Sequence, residues 1–381
     1  MEGIAAMTGK ERIKKAFANN GEPDRVPIEP GLDFDTLTDL SGLDYWKYQE
    51  QGHTELSSLI TWCNRLGFDL YYFAAGIPEP NPPESIQIST RKWKEGEVRI
   101  VETNARTPSG HIQQRRRYPR HNPEYSHEKF IKDLHADWPV FKEYFGEEWP
   151  VHRRYFEEYA RAGDRGVVGV VVHSPIDWWQ EYRHGGIEQV IFDLYDEKSL
   201  MEEVFEYYQI HSFAYLETAV KLDPKPDFVM IHGSTCSASV ISPNLFKTYA
   251  LSYIQQATAL LKNAGILSLF HVCGRSNEWL PMLAETDLNV IDALEHPPAG
   301  NVDLGKAKKL YGNRLCLKGN VSAITMTYGR RQEVRQGVIR CLDAAAAGGG
   351  YVLAVGDSIG PKANLKNIEE MVNTALKYGH Y

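Results

Sequence analysis

The sequence predicts an α/β protein built on a (β/α)8 TIM barrel, because eight short apolar runs recur along the chain with amphipathic helical stretches between most of them. The runs are continuous in Val, Ile, Leu and Phe, which is typical of parallel strands buried on both faces. A doubly wound open sheet is the alternative, but no glycine-rich phosphate loop follows the first run. The predicted strands are residues 26–28, 70–75, 167–172, 228–231, 266–270, 290–294, 315–317 and 351–355.

The connecting stretches predict helices and one insertion. Residues 243–263 and 331–347 have helical character, and Gly348-Gly349-Gly350 ends the second of these helices. Residues 86–120 are polar and rich in β-formers, with turn residues near Gly96 and Gly110, so we predict an antiparallel hairpin inserted after the second strand. Residues 121–149 contain several aromatic residues and are predicted to form a helical lid. We expect a single domain over residues 1–381, with the insertion at about 86–149.

Composition excludes several classes of protein. The chain has 381 residues and a formal net charge of −8, which argues against nucleic acid or an anionic membrane as the main partner. The basic cluster Arg115-Arg116-Arg117 with Arg120 is either a solvated strand or turn, or an anion-docking patch. Five scattered cysteines do not indicate a disulfide framework, no leader opens the chain, and no apolar run approaches a membrane span, so we expect a cytoplasmic protein.

Polar side chains follow most of the predicted strands, at the end of a barrel where catalytic groups lie. In chain order they are Glu29, Asp33 and Asp35, then His173, Asp177, Trp178 and Trp179, then His232, Ser234, Thr235 and Cys236, then His271 and Cys273, then Asp292, Glu295 and His296, then Lys318 and Asn320, then Asp357 and Ser358. Each also has a purely structural interpretation: the Asp residues can cap helices, the Trp pair can pack beneath the lid, and Cys236 can be a small buried apolar residue.

His271 and Cys273 are two residues apart at the end of one strand, so both side chains point to the same face. An imidazole and a thiolate there are half of a zinc site, whereas an isolated His-x-Cys is more often two packed core residues. Asp357 is our first choice for a third ligand, and Glu295 and Cys236 are the alternatives. Such a site would act as a Lewis acid with one position open for substrate.

The chain resembles the uroporphyrinogen decarboxylase superfamily, and within it the zinc-dependent, corrinoid-linked methyltransferases. The resemblance runs nearly end to end. The segments that carry it are Lys10-Glu11-Arg12 to Val26-Pro27, Thr107-Pro108-Ser109-Gly110, Ile241-Ser242-Pro243, His271-Val272-Cys273-Gly274, Lys318-Gly319-Asn320-Val321 and Gly349-Gly350-Tyr351-Val352-Leu353.

Two departures from that resemblance bear on function. The decarboxylase has an arginine-rich segment after its first strand, whereas this chain has the acidic stretch from Glu29 to Asp35, which would repel a polycarboxylate. The methyltransferase branch holds zinc with His-x-Cys and a later Cys, and Asp357 stands in the place of that later Cys. A carboxylate makes a harder site than a second thiolate and suits an oxygen-bound methyl donor better than a thiol acceptor.

The resemblance therefore implies a methyltransferase, an O-demethylase component that moves a methyl group from a methoxylated aromatic compound to Co(I) of a separate corrinoid protein. The metal ligands would be His271, Cys273 and Asp357, and the metal, expected to be zinc, would polarise the ether oxygen. No Asp-x-His-x-x-Gly motif is present, so the corrinoid must be carried by a partner; a homodimer is also possible. The remaining roles we expect are proton donation by Glu295, His173 or His232, substrate contact by Trp178, Trp179 and Tyr72, and corrinoid contact by Asp33, Asp35 and Asn320.

Three alternatives stay open at this point. The first is the reverse half-reaction, from a methylcorrinoid to a thiol or pterin. The second is a decarboxylase that acts on something other than uroporphyrinogen and needs no metal. The third is a barrel without catalytic activity that binds a corrinoid or a small molecule.

Overall fold

The computed structural model describes residues 6–75, 77 and 80–381, and it contains two β-sheets. The larger sheet is parallel and eight-stranded, in the order β1-β12-β11-β10-β9-β8-β7-β2. The strands are β1 (Ile28–Glu29), β2 (Leu70–Phe73), β3 (Gln87–Glu95), β4 (Val98–Thr107), β5 (Gly110–Pro119), β6 (Tyr125–Glu128), β7 (Gly166–His173), β8 (Phe228–His232), β9 (Leu267–Val272), β10 (Val290–Ala293), β11 (Cys316–Val321) and β12 (Tyr351–Val355).

The parallel sheet forms a nearly closed barrel. Its end strands β1 and β2 are joined through Asp69, whose backbone N–H donates to Ile28 O and whose carboxylate accepts from Ile28 N, both at 2.9 Å. All eight predicted strands are present, so the predicted fold class is confirmed. Burial on both faces explains the continuous apolar runs, since each strand packs against helices on one face and faces the barrel interior on the other.

Helices follow the barrel strands, as the sequence predicts. Residues 243–263 are helical throughout, with a π-helical turn at Lys247–Leu251. None of the helices in the described ranges is both long and apolar enough to cross a membrane. The helices are α1 (Gly9–Phe17), α2 (Phe34–Ser41), α3 (Tyr45–Glu50), α4 (Glu55–Leu66), α5 (Leu134–Tyr144), α6 (Arg153–Ala162), α7 (Pro175–Tyr182), α8 (Gly186–Asp196), α9 (Lys198–Lys221), α10 (Pro243–Phe246), α11 (Ser252–Asn263), α12 (Leu280–Leu283), α13 (Leu304–Tyr311), α14 (Ala323–Tyr328), α15 (Arg331–Ala345) and α16 (Leu365–Tyr378).

The insertion after β2 is an antiparallel sheet, and it is larger than the predicted hairpin. Turns at Gly96 and Ser109 join β3, β4 and β5, and β6 then pairs with β5 in the stretch predicted as lid. Only α5 supplies the helical part of that lid. Arg115 of the basic cluster lies on β5 and pairs with Glu102 and Glu128 at 2.7 and 2.9 Å, as expected of a solvated strand.

The amino-terminal end of the barrel is closed by α1. The Phe17 ring lies 5.7 Å from the Phe228 ring and 6.4 Å from the Tyr71 ring, in edge-to-face arrangements. It belongs to an apolar cluster formed mainly by the first residues of the strands, which includes Ile13, Ala16, Phe17, Val167, Phe228, Met230, Leu269, Val290, Cys316 and Val352. The open end is therefore the carboxyl end of the strands.

Candidate active site

A layer of polar side chains lies inside the barrel at its open end. His173, His232 and His271 stand side by side in the register of β7, β8 and β9, and Asp292 of β10 stands beside His271. Barrel interiors of this kind are usually filled by branched apolar residues. A polar layer in this position therefore indicates function rather than packing.

His271 is the centre of this layer. Its Nδ1 lies 3.0 Å from Asp292 Oδ2, and its Nε2 lies 3.8 Å from Asp357 Oδ1. Burial opposes the charged imidazolium, yet hydrogen bonds with Asp292 and Cys273 and the neighbouring carboxylate charges raise the pKa of His271 to about 10. The sequence-predicted residues His271, Cys273 and Asp357 are thus neighbours, and Asp292 orients the imidazole.

A second cation lies behind Asp292. Lys318 Nζ is 3.1 Å from Asp292 Oδ1 and 3.0 Å from Glu29 Oε2, and all three side chains are nearly buried. Burial favours a neutral amine, but the charges of Asp292 and Glu29 raise the pKa of Lys318. Burial likewise favours a protonated acid, but Lys318 and His271 lower the pKa of Asp292. Lys318 is thus paired with both Glu29 and Asp292, and we call these three residues the Glu29–Lys318–Asp292 triad.

Glu295 and Asp357 lie on the loops above this layer. The Glu295 carboxylate accepts a hydrogen bond from Gly274 N, and a Cβ added at Gly356 would come within 3.1 Å of Glu295 Cγ. Burial raises the pKa of Glu295, and the charge of Asp357 acts in the same direction. Asp357 has φ +79°, a left-handed conformation that Asp tolerates better than most residues. Its side chain is 43% exposed, so it faces the open end of the barrel.

The donors fit zinc in type and in part of their geometry. Zinc bonds of about 2.0 to 2.3 Å at tetrahedral angles place two ligand atoms about 3.3 to 3.6 Å apart, close to the 3.8 Å between His271 Nε2 and Asp357 Oδ1. The Asp292–His271 hydrogen bond is the support that metal-binding histidines usually have. Within residues 6–75, 77 and 80–381, however, no three His, Cys, Asp or Glu side chains are arranged to hold a metal ion. Cys236 lies in the core beside Ser174 and Asp177.

His173 and His232 complete the layer. Their rings are 5.3 Å apart, and the His232 ring is stacked 5.5 Å from that of His271. The Nδ1 atoms of His173 and His232 are buried without a hydrogen-bond partner among the described residues. Burial, and then the charges of His271 and His173, lower the pKa of His232 to about 3, so its imidazole is neutral. His232 Nδ1 lies 3.5 Å from Asp177 Oδ1, whereas His173 Nδ1 has no polar partner among the described residues.

The three aromatic residues predicted to contact substrate lie in the core between barrel and helices. Trp179 Nε1 donates to Asp193 Oδ2 at 2.9 Å, and the Trp178 ring stacks 4.6 Å from the Tyr208 ring. Tyr72 is buried on the outer face of β2. The neighbouring residues Tyr71 and Phe73 face the barrel interior instead, because side chains alternate along a strand.

The residues predicted to contact the corrinoid are not gathered in one place. Asp33 caps α2, accepting from Thr36 N at 2.8 Å, as the structural interpretation of this residue anticipated. Asp35 lines a cavity of about 270 Å³ beside Tyr45. Asn320 is buried, donates to Leu294 O at 2.8 Å and lines a different cavity, of about 480 Å³.

The sequence marked Glu29, Asp292 and Lys318 only as polar strand ends and gave them no role. Their signal was present in the alternation along the strands. All three side chains lie on the strand face that points into the barrel. Asp292 follows the apolar interior residue Val290 by two positions, and Lys318 follows the interior residue Cys316 by two positions. A charged residue in the barrel interior needs an oppositely charged partner, so the sequence could have predicted that Glu29, Asp292 and Lys318 pair with one another.

Comparison with known proteins places the chain among its relatives. The family model for uroporphyrinogen decarboxylase (URO-D) matches residues 158–378, more than half of the chain. The chain belongs to the URO-D family. The matched region of this URO-D family protein runs from α6 into α16 and includes β7 to β12, with His271, Cys273 and Asp357.

Individual relatives of this URO-D family protein are distant. A uroporphyrinogen decarboxylase of Coxiella burnetii (strain RSA 493 / Nine Mile phase I) is 20% identical over 188 residues, 49% of each chain. The methylcobamide:CoM methyltransferase MtaA of Methanosarcina barkeri is 28% identical over 153 residues, 40% of this chain and 42% of that one. The chain spans about half the length of the curated relatives it matches.

A solved methyltransferase from Methanosarcina mazei has the same fold. It superposes with a TM-score of 0.66 at 17% identity and covers 98% of this chain and 99% of that chain. The likeness extends over the barrel and the inserted sheet of the URO-D family protein, so the fold as a whole is one that a methyltransferase also uses.

Proposed function

We propose that this URO-D family protein is a corrinoid-dependent methyltransferase, which transfers a methyl group from a methoxylated aromatic compound to Co(I) of a separate corrinoid protein. The observation that carries the proposal is the setting of His271, whose Nδ1 is held by Asp292, whose Nε2 lies 3.8 Å from Asp357, and whose side chain is in hydrogen-bond contact with Cys273. The named activity of the M. barkeri relative, methylcobamide:CoM methyltransfer, supports corrinoid chemistry and a corrinoid partner.

His271, Cys273 and Asp357 would hold a zinc ion in this proposal. Nitrogen, sulfur and oxygen donors together suit zinc, and the Asp292 hydrogen bond leaves His271 Nε2 for the metal. When bound, the metal would supply Lewis acidity to the ether oxygen of the substrate. The third donor requires Asp357, which is exposed on its loop, to approach the His271–Cys273 pair.

A side chain of the protein would then supply the proton that the departing aryl oxygen takes up. The O–CH3 bond breaks, the methyl group goes to Co(I) and gives methyl-Co(III), and the aryl oxygen keeps the electron pair. That oxygen takes up one proton and leaves as the phenol. We assign this proton to Glu295, because its carboxyl group lies beside Gly274 and Gly356 at the open end. His173 Nδ1, which has no hydrogen-bond partner among the described residues, would hold a polar group of the substrate.

The substrate ring would contact the interior aromatic residues. Tyr71 and Phe73 face the barrel interior, and their rings lie 5.1 Å apart in an edge-to-face arrangement. Trp178, Trp179 and Tyr72 would act from the surrounding core by holding β2 and α7 in place. Of the three residues predicted to contact the corrinoid, Asp35 alone keeps that role in the proposal, because Asp33 caps α2 and Asn320 is buried.

One other function has a specific observation in its favour. The M. barkeri relative is a methylcobamide:CoM methyltransferase, which favours methyl transfer from a corrinoid to a thiol. Asp357 argues for the ether direction, because a carboxylate in place of a thiolate leaves the metal harder and less suited to activate a thiol. Decarboxylation of uroporphyrinogen is disfavoured by the acidic stretch from Glu29 to Asp35.

The test is a methyl-transfer assay with free cob(I)alamin and a panel of methoxyarenes, followed by the absorbance change from Co(I) to methyl-Co(III). We expect the wild-type protein to bind about one zinc per chain and to methylate cobalt with at least one methoxyarene. H271A should lose both properties, whereas H111A, a change on the exposed inserted sheet, should lose neither.

Two results would contradict the proposal. The first is a wild-type protein that methylates cobalt with no methoxyarene but demethylates methylcobalamin in the presence of a thiol, which would establish the reverse direction. The second is full activity of H271A, which would remove the metal site from the reaction.

A further inference from the structure

The Glu29–Lys318–Asp292 triad has no part in the proton transfer proposed above, yet it lies directly behind His271. Its members come from three different strands, β1, β11 and β10. The side chains of Lys318 and Asp292 are only 6% and 7% exposed. Burying a charge costs several kcal/mol, and a buried ion pair is often less stable than an apolar group of the same volume. The triad therefore needs an explanation other than stability.

The ammonium group of Lys318 is held by two carboxylates and lies over one aromatic ring. One hydrogen faces Glu29 Oε2 at 3.0 Å, a second faces Asp292 Oδ1 at 3.1 Å, and the Tyr71 ring lies 4.9 Å from the nitrogen. Glu29 is held in turn, because its Oε1 accepts from Gly31 N at 2.7 Å. Lys318 is therefore a rigid support rather than a mobile charge.

Strand β12 lies between β1 and β11 in the sheet, so Lys318 has to extend across β12 to contact Glu29. Glu29 is in register with Ala354, and Lys318 is in register with Val352. Since Val352 lies in the interior cluster, Ala354, two residues on, faces the interior as well. Its methyl group leaves room for Lys318 to reach Glu29 across the strand.

The two oxygens of Asp292 have separate partners. Oδ1 accepts from Lys318, and Oδ2 lies 3.0 Å from His271 Nδ1. The carboxylate cannot rotate without losing one of these contacts. With Nδ1 held in this way, the other ring nitrogen of His271, Nε2, is directed to Asp357 at 3.8 Å.

We propose that Lys318, together with Glu29, is a positioning residue that fixes Asp292 and thereby aims His271 at the metal. The inference rests on the proposed function for the identity of the metal, but it concerns different residues. It predicts that metal affinity depends on a lysine that does not itself bind the metal, because its ammonium group has no lone pair and is paired with Glu29 and Asp292.

The experiment is to measure the zinc dissociation constant by competition with a chromophoric chelator, and the free energy of unfolding by urea, for wild type, D292N and K318M. We expect zinc to bind 10- to 100-fold more weakly to both variants, the range typical of lost support behind a metal-binding histidine. The visible spectrum of the Co²⁺-loaded protein should change in both, since the ligand geometry is altered.

Matched controls come from the opposite end of the barrel. Asp227 is buried just before β8 and is paired with Lys10 at 3.2 Å. D227N and K10M therefore remove the same groups from a comparable pair. They should lower the free energy of unfolding but leave zinc affinity within twofold of wild type. A purely structural role for Lys318 would give the same result for K318M, and that result would overturn the proposal.

A second variant guards against a K318M protein that does not fold. The double variant E29Q/K318M removes one charge of each sign, so Asp292 keeps its charge without an unpaired neighbour. It should fold and still bind zinc at least tenfold more weakly, because Asp292 has lost its support. Wild-type affinity in the double variant would overturn the inference alone, whereas a wild-type protein without zinc affinity would overturn the proposed metal site and the inference with it.

Discussion

At the scale of single residues, Glu55 is an unusual carboxyl group. It lies in the first turn of α4, close to three other acidic residues. Burial, and then the charges of Asp33, Glu158 and Asp35, raise the pKa of Glu55 from 4.5 to about 7. The folded protein therefore keeps a proton on Glu55 over a pH range in which the unfolded chain has already lost it.

This difference makes stability depend on pH. Because the unfolded chain binds fewer protons than the folded protein between pH 4.5 and about 7, the Glu55 contribution to stability falls as pH rises through this range and stays low above it. E55Q should raise the free energy of unfolding by about 1 to 3 kcal/mol at pH 8 and change it little at pH 4.

Urea unfolding at the two pH values measures this effect. E206Q, which changes an exposed residue on α9, is the matched control and should have no effect at either pH. An equal change in E55Q at pH 4 and pH 8 would show that the side-chain shape, and not the charge, is responsible.

The residues of the candidate site were accessible to sequence reasoning to different degrees. His271, Cys273 and Asp357 stand at strand ends and could be chosen for their chemistry alone. Asp292 and Lys318 matter because they contact each other. That contact joins β10 and β11 and depends on the register of the two strands. Trp178 and Trp179 show the converse, since aromatic composition near a strand end did not reveal that α7 turns them into the core.

At the scale of secondary-structure elements, Asn367 joins two helices. It lies fully buried in the first turns of α16, and its Nδ2 donates to Met326 O at 3.0 Å and to Gly329 O at 2.9 Å. These carbonyls belong to the end of α14 and the residue that follows it, which no intrahelical donor satisfies in full. One side chain thus closes α14 and fixes its position against α16.

N367A should therefore destabilise the protein by about 2 to 3 kcal/mol, because it leaves two buried carbonyls without this donor. The free energy of unfolding in urea measures the loss. N373A changes an exposed residue on the same helix and should shift it by about 0.5 kcal/mol or less. Equal effects of the two substitutions would mean that helix propensity, and not the contact with α14, is what matters.

Elements were predicted from sequence with uneven success, for a physical reason. The eight barrel strands are buried on both faces, so their apolar runs are conspicuous, and all eight were found. The inserted sheet is largely exposed, so its strands lack that signal and were found only where turn residues flank them. β6 was missed because its four residues, Tyr125–Glu128, depend on pairing with β5 and not on their own composition.

At the scale of the whole molecule, the barrel has two chemically different ends. The amino-terminal end is filled by apolar side chains around Phe17, and the carboxyl end carries the histidines and the charged triad. Stability and chemistry are therefore concentrated at opposite ends, as in other barrels of this class.

A substitution at the closed end should separate these two properties. F17A should lower the free energy of unfolding by about 3 to 5 kcal/mol, because it removes a fully buried ring that contacts Phe228 and Tyr71. Zinc affinity of the folded fraction should stay within twofold of wild type. F192A, at a ring that is 51% exposed, should cost about 1 kcal/mol or less. Loss of zinc affinity in F17A would show that the two ends are coupled.

Because α1 closes one end of the barrel, it also limits the order in which reactants bind and products leave. Among the described residues, Phe17 and its neighbours fill one end, so we expect a reactant to reach His271 through the other end and its product to leave by the same route. Two reactants that both need this position cannot pass each other, so the one that occupies the deeper place must arrive first. In the proposed reaction the methoxyarene would be the leading substrate and the phenol the last product released, which is a compulsory-order mechanism set by architecture.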